Sequence, residues 1–428
     1  MVNGGPRKFL FVSRLGLIHG LAMQVLQEGH AVRYAILTKS EKDVADGFVE
    51  KVDDWEAHKD WADVIVFDDS DFGAVCEKLR AEGRTVVGGT RYADKLEDDR
   101  DFGQAEMKAV GMTTLPSWDF DSFDAAIEYV RQNPDRYVVK PNGKAQNDKV
   151  LSFVGLEEDG RDLLMMLERY RKGWAAKIKS FQLQKYVSGV EVAVGAFFNG
   201  KDFILPCCVN FEHKRMFNDD IGPSTGEMGT SAFWAPANTL FRETLGRMKE
   251  KLAGYAGYID INCIVNARGI YPLEFTSRFG YPTINLQIEG VLSKWGDFLH
   301  ALGKGEPFEL RTKRGFQVCV VVGVPPFPFV DPDSFRKYSE DQVVIFKKEM
   351  KEGIHPCDIR LVEGDWRLAG SSGYAMVVSG SGPTMVDARR ECYNRLKNVI
   401  IPNMFYRTDI GERWSRDGDL LQTWGYLA

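Results

Sequence analysis

Gly222-Pro-Ser-Thr-Gly-Glu-Met-Gly229 and Leu273-Glu-Phe-Thr-Ser-Arg-Phe-Gly280 are the stretches from which the fold is read. The first is a loop punctuated by glycine at 222, 226 and 229, too regular for a random turn. The second sets Glu274 and Arg278 on one extended segment beside small polar residues. A carboxylate to hold a metal, a guanidinium to hold a moving phosphoryl group and nearby backbone amides are the parts phosphoryl transfer needs. The pattern points to a nucleotide-dependent enzyme.

Outward from these stretches, residues 258–265 and 271–275 read as a β-hairpin around Asn266-Ala-Arg-Gly269. Asp260 and Glu274 then lie on adjacent strands, where both could face one metal. Upstream, a strand at 137–140 enters the polar loop 141–149, and a second at 150–154 leaves it. Strands at 181–187 and 191–198 follow. Strand, polar loop, strand predicts a hairpin lid over phosphates.

The first 95 residues alternate strands (8–13, 31–37, 63–67, 85–87) with helical patterns (18–28, 72–81), which predicts a parallel α/β sheet. The first strand-to-helix turn, Ser13-Arg-Leu-Gly-Leu-Ile-His-Gly20, is not G-x-G-x-x-G, so a dinucleotide-binding reading is weak. A helix is expected over 99–110. Strands at 316–322, 343–346 and 374–378 before a helix at 385–399 predict a compact α+β unit at the C-terminus.

The chain has 428 residues, room for several domains. Its net charge of −6 gives no general attraction to nucleic acid or anionic lipid. The seven cysteines form no C-x-x-C, and Cys207-Cys208 sit in an apolar context, which fits reduced thiols. No apolar run approaches the roughly 20 residues of a membrane span, and the start lacks the layout of a signal peptide. A cytoplasmic protein with small-molecule partners, no nucleic acid and no membrane is expected.

These motifs resemble the ATP-grasp superfamily, and within it the phosphoribosylamine–glycine ligase family. Glu212-His-Lys-Arg215 followed by Gly222–Gly229 is similar to the family's D-H-K-R … G-P-N-T-G-G-M-G. Leu273–Gly280 resembles L-E-F-N-x-R-F-G, and Phe405-Tyr-Arg-Thr-Asp-Ile-Gly411 resembles the terminal F-Y-R-x-D-I-G. The resemblance covers nearly the whole chain. It implies an α/β and α+β multidomain protein: a Rossmann-like pre-ATP-grasp domain (1–95), an ATP-grasp domain (96–310) with a mobile lid at about 120–190, and an α+β domain (311–428). It implies ATP and Mg2+ (or Mn2+), a carboxylate activated as an acyl phosphate, and an amine that attacks it. The family leaves monomer and homodimer both open.

The resemblance also assigns residues. Glu274 is the first metal ligand. Asp260, 14 residues earlier, has a spacing similar to the paired metal carboxylates of D-alanine–D-alanine ligases. Thr276 replaces the family's metal-binding Asn, and Asn262 substitutes if it points inward. Arg278, Lys214 and Arg215 are the catalytic cations, with His213 beside them but not taken as a general base. Arg100, Lys140 and the lid's Lys149 would contact ATP. Gln184, Lys185, Tyr186 and Val187 resemble the hinge that reads adenine through backbone groups, and Glu191 the ribose carboxylate. Ser224, Thr225, Gly226, Glu227, Met228 and Gly229 would frame the substrate carboxylate and acyl phosphate.

The departures from the family cluster. Its G-G-R-E-H-A turn is Ser13–Gly20 here, G-G-R is Ser372-Gly-Tyr374, R-F-G-D-P-E is Arg278-Phe-Gly-Tyr-Pro-Thr283, and Glu227 replaces a glycine. Side chains crowd a turn through which bare glycines would let amides approach a phosphate. Nucleotide elements are kept better than amine-substrate elements. The expectation is an ATP-dependent carboxylate–amine ligase, activating glycine or another small amino acid, with a divergent amine acceptor. An authentic phosphoribosylamine–glycine ligase and a non-catalytic ATP-binding protein are the competing readings.

Overall fold

The computed structural model describes residues 5–142 and 151–428. The chain opens with a parallel sheet of β1 (Lys8–Ser13), β2 (Ala31–Ile36), β3 (Glu50–Lys51), β4 (Val64–Phe67) and β5 (Val86–Val87), in the order β3-β2-β1-β4-β5. Parallel strands covered on both faces read as continuous apolar runs. Leu10, Val12, Ile65 and Phe67 pack on Phe72, Cys76 and Leu79, while Phe9, Phe11, Val64 and Val66 join the opposite core. The helix His19–Gln27 ends where Gly29 takes a left-handed φ of 92°.

A second, four-stranded sheet holds β6 (Ser117–Phe120), β7 (Tyr137–Pro141), β8 (Phe153–Val154) and β9 (Phe181–Lys185), ordered β6-β9-β7-β8. The helices Phe123–Gln132 and Arg161–Ala175 close a separate small core over it, around Phe123, Leu163, Leu167 and Phe181. The polar loop from 143 to 150, and with it Lys149, lies outside the described residues.

The third sheet is eight-stranded and antiparallel throughout. It contains β10 (Val190–Asn199), β11 (Phe203–Glu212), and then, beyond the short hairpin β12 (Arg215–Phe217) and β13 (Ile221–Ser224), β14 (Gly229–Ala235), β15 (Ala256–Asn266), β16 (Gly269–Thr276) and β17 (Phe316–Gly323). Its order is β16-β15-β10-β11-β14-β17, then Tyr374–Gly382 and Ile354–Pro356. The strands after residue 310 therefore extend the central sheet. One face, with Val194, Ala196, Val209, Ile259 and Ile261, is apolar along its length. The other face is apolar at Phe197, Cys208 and Tyr258, under the helices Thr283–Gly290 and Trp295–Lys304. It then turns polar, and there it opens into a cleft. Among the described residues no helix is long and apolar enough to cross a membrane, and all seven cysteines are buried and unpaired.

Glu289, at the end of the helix Thr283–Gly290, ties this helix to the C-terminal strands. Its carboxylate accepts from Lys313 Nζ at 2.8 Å, Arg395 Nη1 at 2.8 Å and Ser381 Oγ at 2.7 Å. Burial alone would raise its pKa, but Lys313, Ser381 and Arg395 outweigh burial and hold it at about 2, from 4.5. A depressed carboxylate stabilises the fold fully above its unfolded value and loses that contribution as pH falls towards its folded value. We expect about 3 kcal/mol of stability to disappear between pH 4.5 and pH 2. In Glu289→Gln, urea unfolding across that range should show a correspondingly shallower loss.

Candidate functional site

The polar end of the central sheet is organised by register. Asp260 on β15 pairs with Thr276 on β16, and Asn262 pairs with Glu274. Directly opposed residues of an antiparallel pair share a face, and Asp260 and Asn262 are two apart, so all four side chains stand on one face. Asn262 does point inward, at 3% exposure. Asp260 lies opposite Gly195 of β10, and a Cβ at Gly195 would come within 2.6 Å of the Asp260 Cβ. The same Cβ would come closer still to the Tyr258 hydroxyl, so the glycine makes room for both the Tyr258 ring and the Asp260 side chain.

Lys214, at the end of the turn after β11, places its ammonium 3.2 Å from Glu191, 3.2 Å from Glu212 and 3.7 Å from Glu274. Burial works against this charge, but Glu212, Glu191 and Glu274 outweigh it and raise its pKa well above the ordinary lysine value. Burial, with Glu212 and Glu97 adding to it, pushes Asp260 far up instead. Its Oδ1 has no hydrogen-bond partner among the described residues. Lys140, next to the undescribed loop, is pushed down to about 8 by burial and by the positive Arg100 and Lys214.

Arg278 closes one side. Its Nε lies 3.0 Å from Glu97 and 3.1 Å from Asp69, and Glu97 also accepts from the Ser277 amide at 2.7 Å. These bonds dock the helix Arg91–Asp98 on the end of β16. The next helix, Arg100–Ala109, is fixed by Gln104 Nε2 donating to the Leu273 carbonyl at 2.7 Å, and its first residue, Arg100, faces the same cleft. The cleft encloses about 480 Å³.

Ser224, Thr225, Gly226 and Glu227 of the loop Ser224–Gly229 line the cleft, though part of the loop's backbone is already engaged. The Thr225 amide donates to the Lys214 carbonyl at 2.8 Å and the Met228 amide to the His213 carbonyl at 2.7 Å. Gly226 has open space at its Cα, and Met228 is fully buried. Glu227 lines the cleft at 6% exposure, and its Oε1 has no partner among the described residues. Burial and Glu212 push its pKa well up. His213 is buried and driven down to about 3 by burial, Arg413 and Arg407, which keeps it neutral.

Not every expected residue converges here. Arg215 is exposed and donates to the Gly222 carbonyl at 3.0 Å, on the outside of the β12–β13 hairpin. The segment Gln184–Val187 lies beside the cleft and lines no part of it. Lys185 turns away to Asp135 at 2.6 Å, the Tyr186 ring lies under Arg136, and Gln184 is buried in the small sheet. The amides of Lys185 and Tyr186 donate to Pro116 and Arg136. Three acids that sequence reasoning passes over matter here: Glu212, Glu97 and Asp69. Asp69 follows β4, at the carboxyl end of a parallel strand, where open α/β sheets gather ligands; that is the signal that could have found it.

Mg2+ prefers hard oxygen ligands and commonly takes one or two carboxylates, completing its shell with water and substrate phosphates. The buried unpartnered Asp260 oxygen, with Glu274, Asn262 and Thr276 on the same face, fits that ion. Among the described residues no three His, Cys, Asp or Glu side chains form a complete cage, and a site shared with a substrate's phosphates needs none.

Residues 98–284 match the family described as phosphoribosylglycinamide synthetase, ATP-grasp (A) domain. A phosphoribosylamine–glycine ligase of Streptococcus suis is 26% identical over 360 residues, covering 81% of this chain and 82% of that one. That of Ralstonia nicotianae is 27% identical over 355 residues, covering 79% and 81%. Among solved structures, the phosphoribosylamine–glycine ligase of Thermotoga maritima superposes with a TM-score of 0.68 at 21% identity, over 94% of this chain and 100% of that one. The biotin carboxylase of Campylobacter jejuni, solved with β-γ-ATP, gives 0.64 at 12% identity over 97% and 96%.

Proposed function

We propose, for a chain that is an ATP-grasp ligase resembling phosphoribosylamine–glycine ligase, that it joins a small amino acid carboxylate to an amine through an acyl phosphate. The observation that carries this reading is the single polar face of the central sheet. There Lys214 sits among Glu191, Glu212 and Glu274 while Asp260, Asn262 and Thr276 stand alongside. Such a face attracts cations and, through them, polyphosphate.

A carboxylate is a poor electrophile, and phosphorylation gives it a leaving group. In this reading one carboxylate oxygen attacks the γ-phosphorus of ATP, ADP departs, and the amine nitrogen then displaces phosphate from the carbonyl carbon. Arg278 and Lys214 stabilise charge on the moving phosphoryl group, and Lys140 and Arg100 hold the nucleotide phosphates. The loop Ser224–Gly229 orients the carboxylate, and Glu191 with the Gln184–Val187 segment borders the nucleoside. Mg2+ (or Mn2+), held by Glu274 and Asp260 with Asn262 and Thr276 beside them, would screen the phosphate charge as the carboxylate approaches.

The test needs no acceptor. With Mg-ATP, hydroxylamine and a panel of small amino acids led by glycine, an acyl phosphate is trapped as a hydroxamate. Hydroxamate formed in step with ADP is the expected result. ATP binding without hydroxamate from any amino acid would favour a non-catalytic nucleotide-binding protein. A second reading, the phosphoribosylamine–glycine ligase reaction itself, draws support from the relatives' names. Formation of glycinamide ribonucleotide from glycine and phosphoribosylamine would decide for it.

A further inference from the structure

The cleft has two chemically different ends. One carries the cations and carboxylates described above. The other is walled by Leu17, Tyr281, Phe327 and Tyr374. The Phe327 and Tyr374 rings meet edge to face with centroids 5.7 Å apart. Where the two ends meet, two buried polar atoms have no partner among the described residues: Glu227 Oε1, on a side chain 6% exposed, and Tyr374 Oη, on one 8% exposed. Both residues line the cleft. An unpartnered buried polar atom is costly, and a bound ligand that supplies the partner removes that cost.

The aromatic end offers an anion one hydroxyl, Tyr374 Oη, and, among the described residues, no unpaired cation: the Arg278 guanidinium, 6.0 Å from the Tyr281 ring centroid, is already held by two acids. Arg100, Lys214 and Arg278 are the cations lining the cleft among the described residues. Lys214 is held by Glu191, Glu212 and Glu274, and Arg278 by Glu97 and Asp69. Arg100 lies near Lys140, at the phosphate end. Four backbone amides of the flanking loops are also engaged. The Arg14 amide donates to Asp68 at 3.2 Å and the Gly16 amide to Ser13 Oγ at 2.8 Å. Across the cleft, the Ser371 amide donates to Glu41 at 3.1 Å and the Tyr374 amide to Asp358 at 3.2 Å. The Tyr281 hydroxyl donates to Asp68 at 3.1 Å. These amides are tied to internal acceptors, and a phosphate here would be desolvated beside Asp68 and Glu227, with the neighbouring cations Lys214 and Arg278 already paired to other acids.

We infer that the acceptor is a primary amine on an apolar, aromatic-sized body without a phosphate group, its ammonium received by Glu227 and its body packed on Leu17, Tyr281, Phe327 and Tyr374. The inference rests on the ligase reading above and names the substrate class for the same site. An ammonium supplies the donor that Glu227 Oε1 lacks, and its attachment to an apolar body matches the wall. Glu227 is then the specificity-determining residue, placed between the phosphoryl end and the aromatic end.

Calorimetry on the full chain tests this with two probes, 2-phenylethylamine and ribose 5-phosphate. The amine is expected to bind at least tenfold tighter. Glu227→Gln should weaken the amine at least tenfold, with thermal melting checking that the variant is folded. Equal or tighter binding of ribose 5-phosphate to the unmodified chain overturns the inference, whatever the variant does. An unchanged amine affinity in folded Glu227→Gln overturns the role of Glu227. Hydroxamate trapping, which uses no acceptor, reads the ligase function separately. Hydroxamate without preference for the amine sinks only this inference, whereas amine preference without hydroxamate sinks the ligase reading.

Discussion

Glu274→Ala is expected to lower Mg-ATP turnover by roughly 10²–10³-fold while leaving the fold nearly as stable as before. Losing one well-placed group that stabilises developing charge costs about that much in rate. The side chain is 43% exposed at the surface of β16, and its 3.7 Å contact with Lys214 is the longest of that lysine's three. A half-exposed ion pair contributes at most about 1 kcal/mol, so melting should barely move. Asp260→Asn should lower turnover by a similar factor, with the opposite sign on stability. That carboxyl is 2% exposed and keeps an unpartnered oxygen, and a neutral amide removes the cost of an acid in a dry, acidic pocket. Loss of activity with unchanged or raised melting temperature is the signature of residues kept for chemistry. Steady-state ADP release and thermal melts on both variants check it. Full turnover in Glu274→Ala would remove this residue from the metal site.

The way these residues sit in the sheet explains how much could be read from sequence. The hairpin carrying Asp260 and Glu274 is legible because two short apolar runs flank one turn, and pairing across a short turn leaves a local pattern. The parallel sheet is legible for a similar reason, since its crossovers are short and its runs fully apolar. The continuation of the central sheet into β17 and Tyr374–Gly382 is not, because those pairings join distant segments and leave no periodic mark nearby. The site divides along the same line. Asp260, Glu274, Asn262 and Thr276 come from one hairpin and are found together. The partners of Arg278 lie on elements far away in the chain, with Glu97 181 residues before it, and charge at such separation is invisible to a motif. Arg215 shows the converse. Beside Lys214 in a basic trio it reads as catalytic, yet adjacent residues of an extended segment point to opposite sides, and it faces out.

Arg278 separates two roles that a single substitution confounds. Arg278→Met should lower turnover by about 10³-fold, by the same reasoning as for an oriented donor at a charged transition state. It should also destabilise the protein by about 3 kcal/mol, because removing one partner of a largely buried ion pair strands the others. The stranded groups are Glu97 and Asp69, 15% and 24% exposed. Arg278→Lys keeps the charge but loses the planar guanidinium whose Nε sits by both acids while Nη1 donates to the Phe279 carbonyl, so it should recover part of the stability and little of the rate. In Arg278→Met with Glu97→Gln the arginine is gone and so is one stranded carboxylate, while an amide at 97 still accepts from Ser277. That double variant should regain most of the lost stability and none of the turnover. Urea unfolding read beside ADP release makes the distinction. If the double variant recovered both, Arg278 would be a strut between the helix Arg91–Asp98 and β16. If it recovers stability alone, the guanidinium acts on the phosphoryl group, and the two acids serve to aim it.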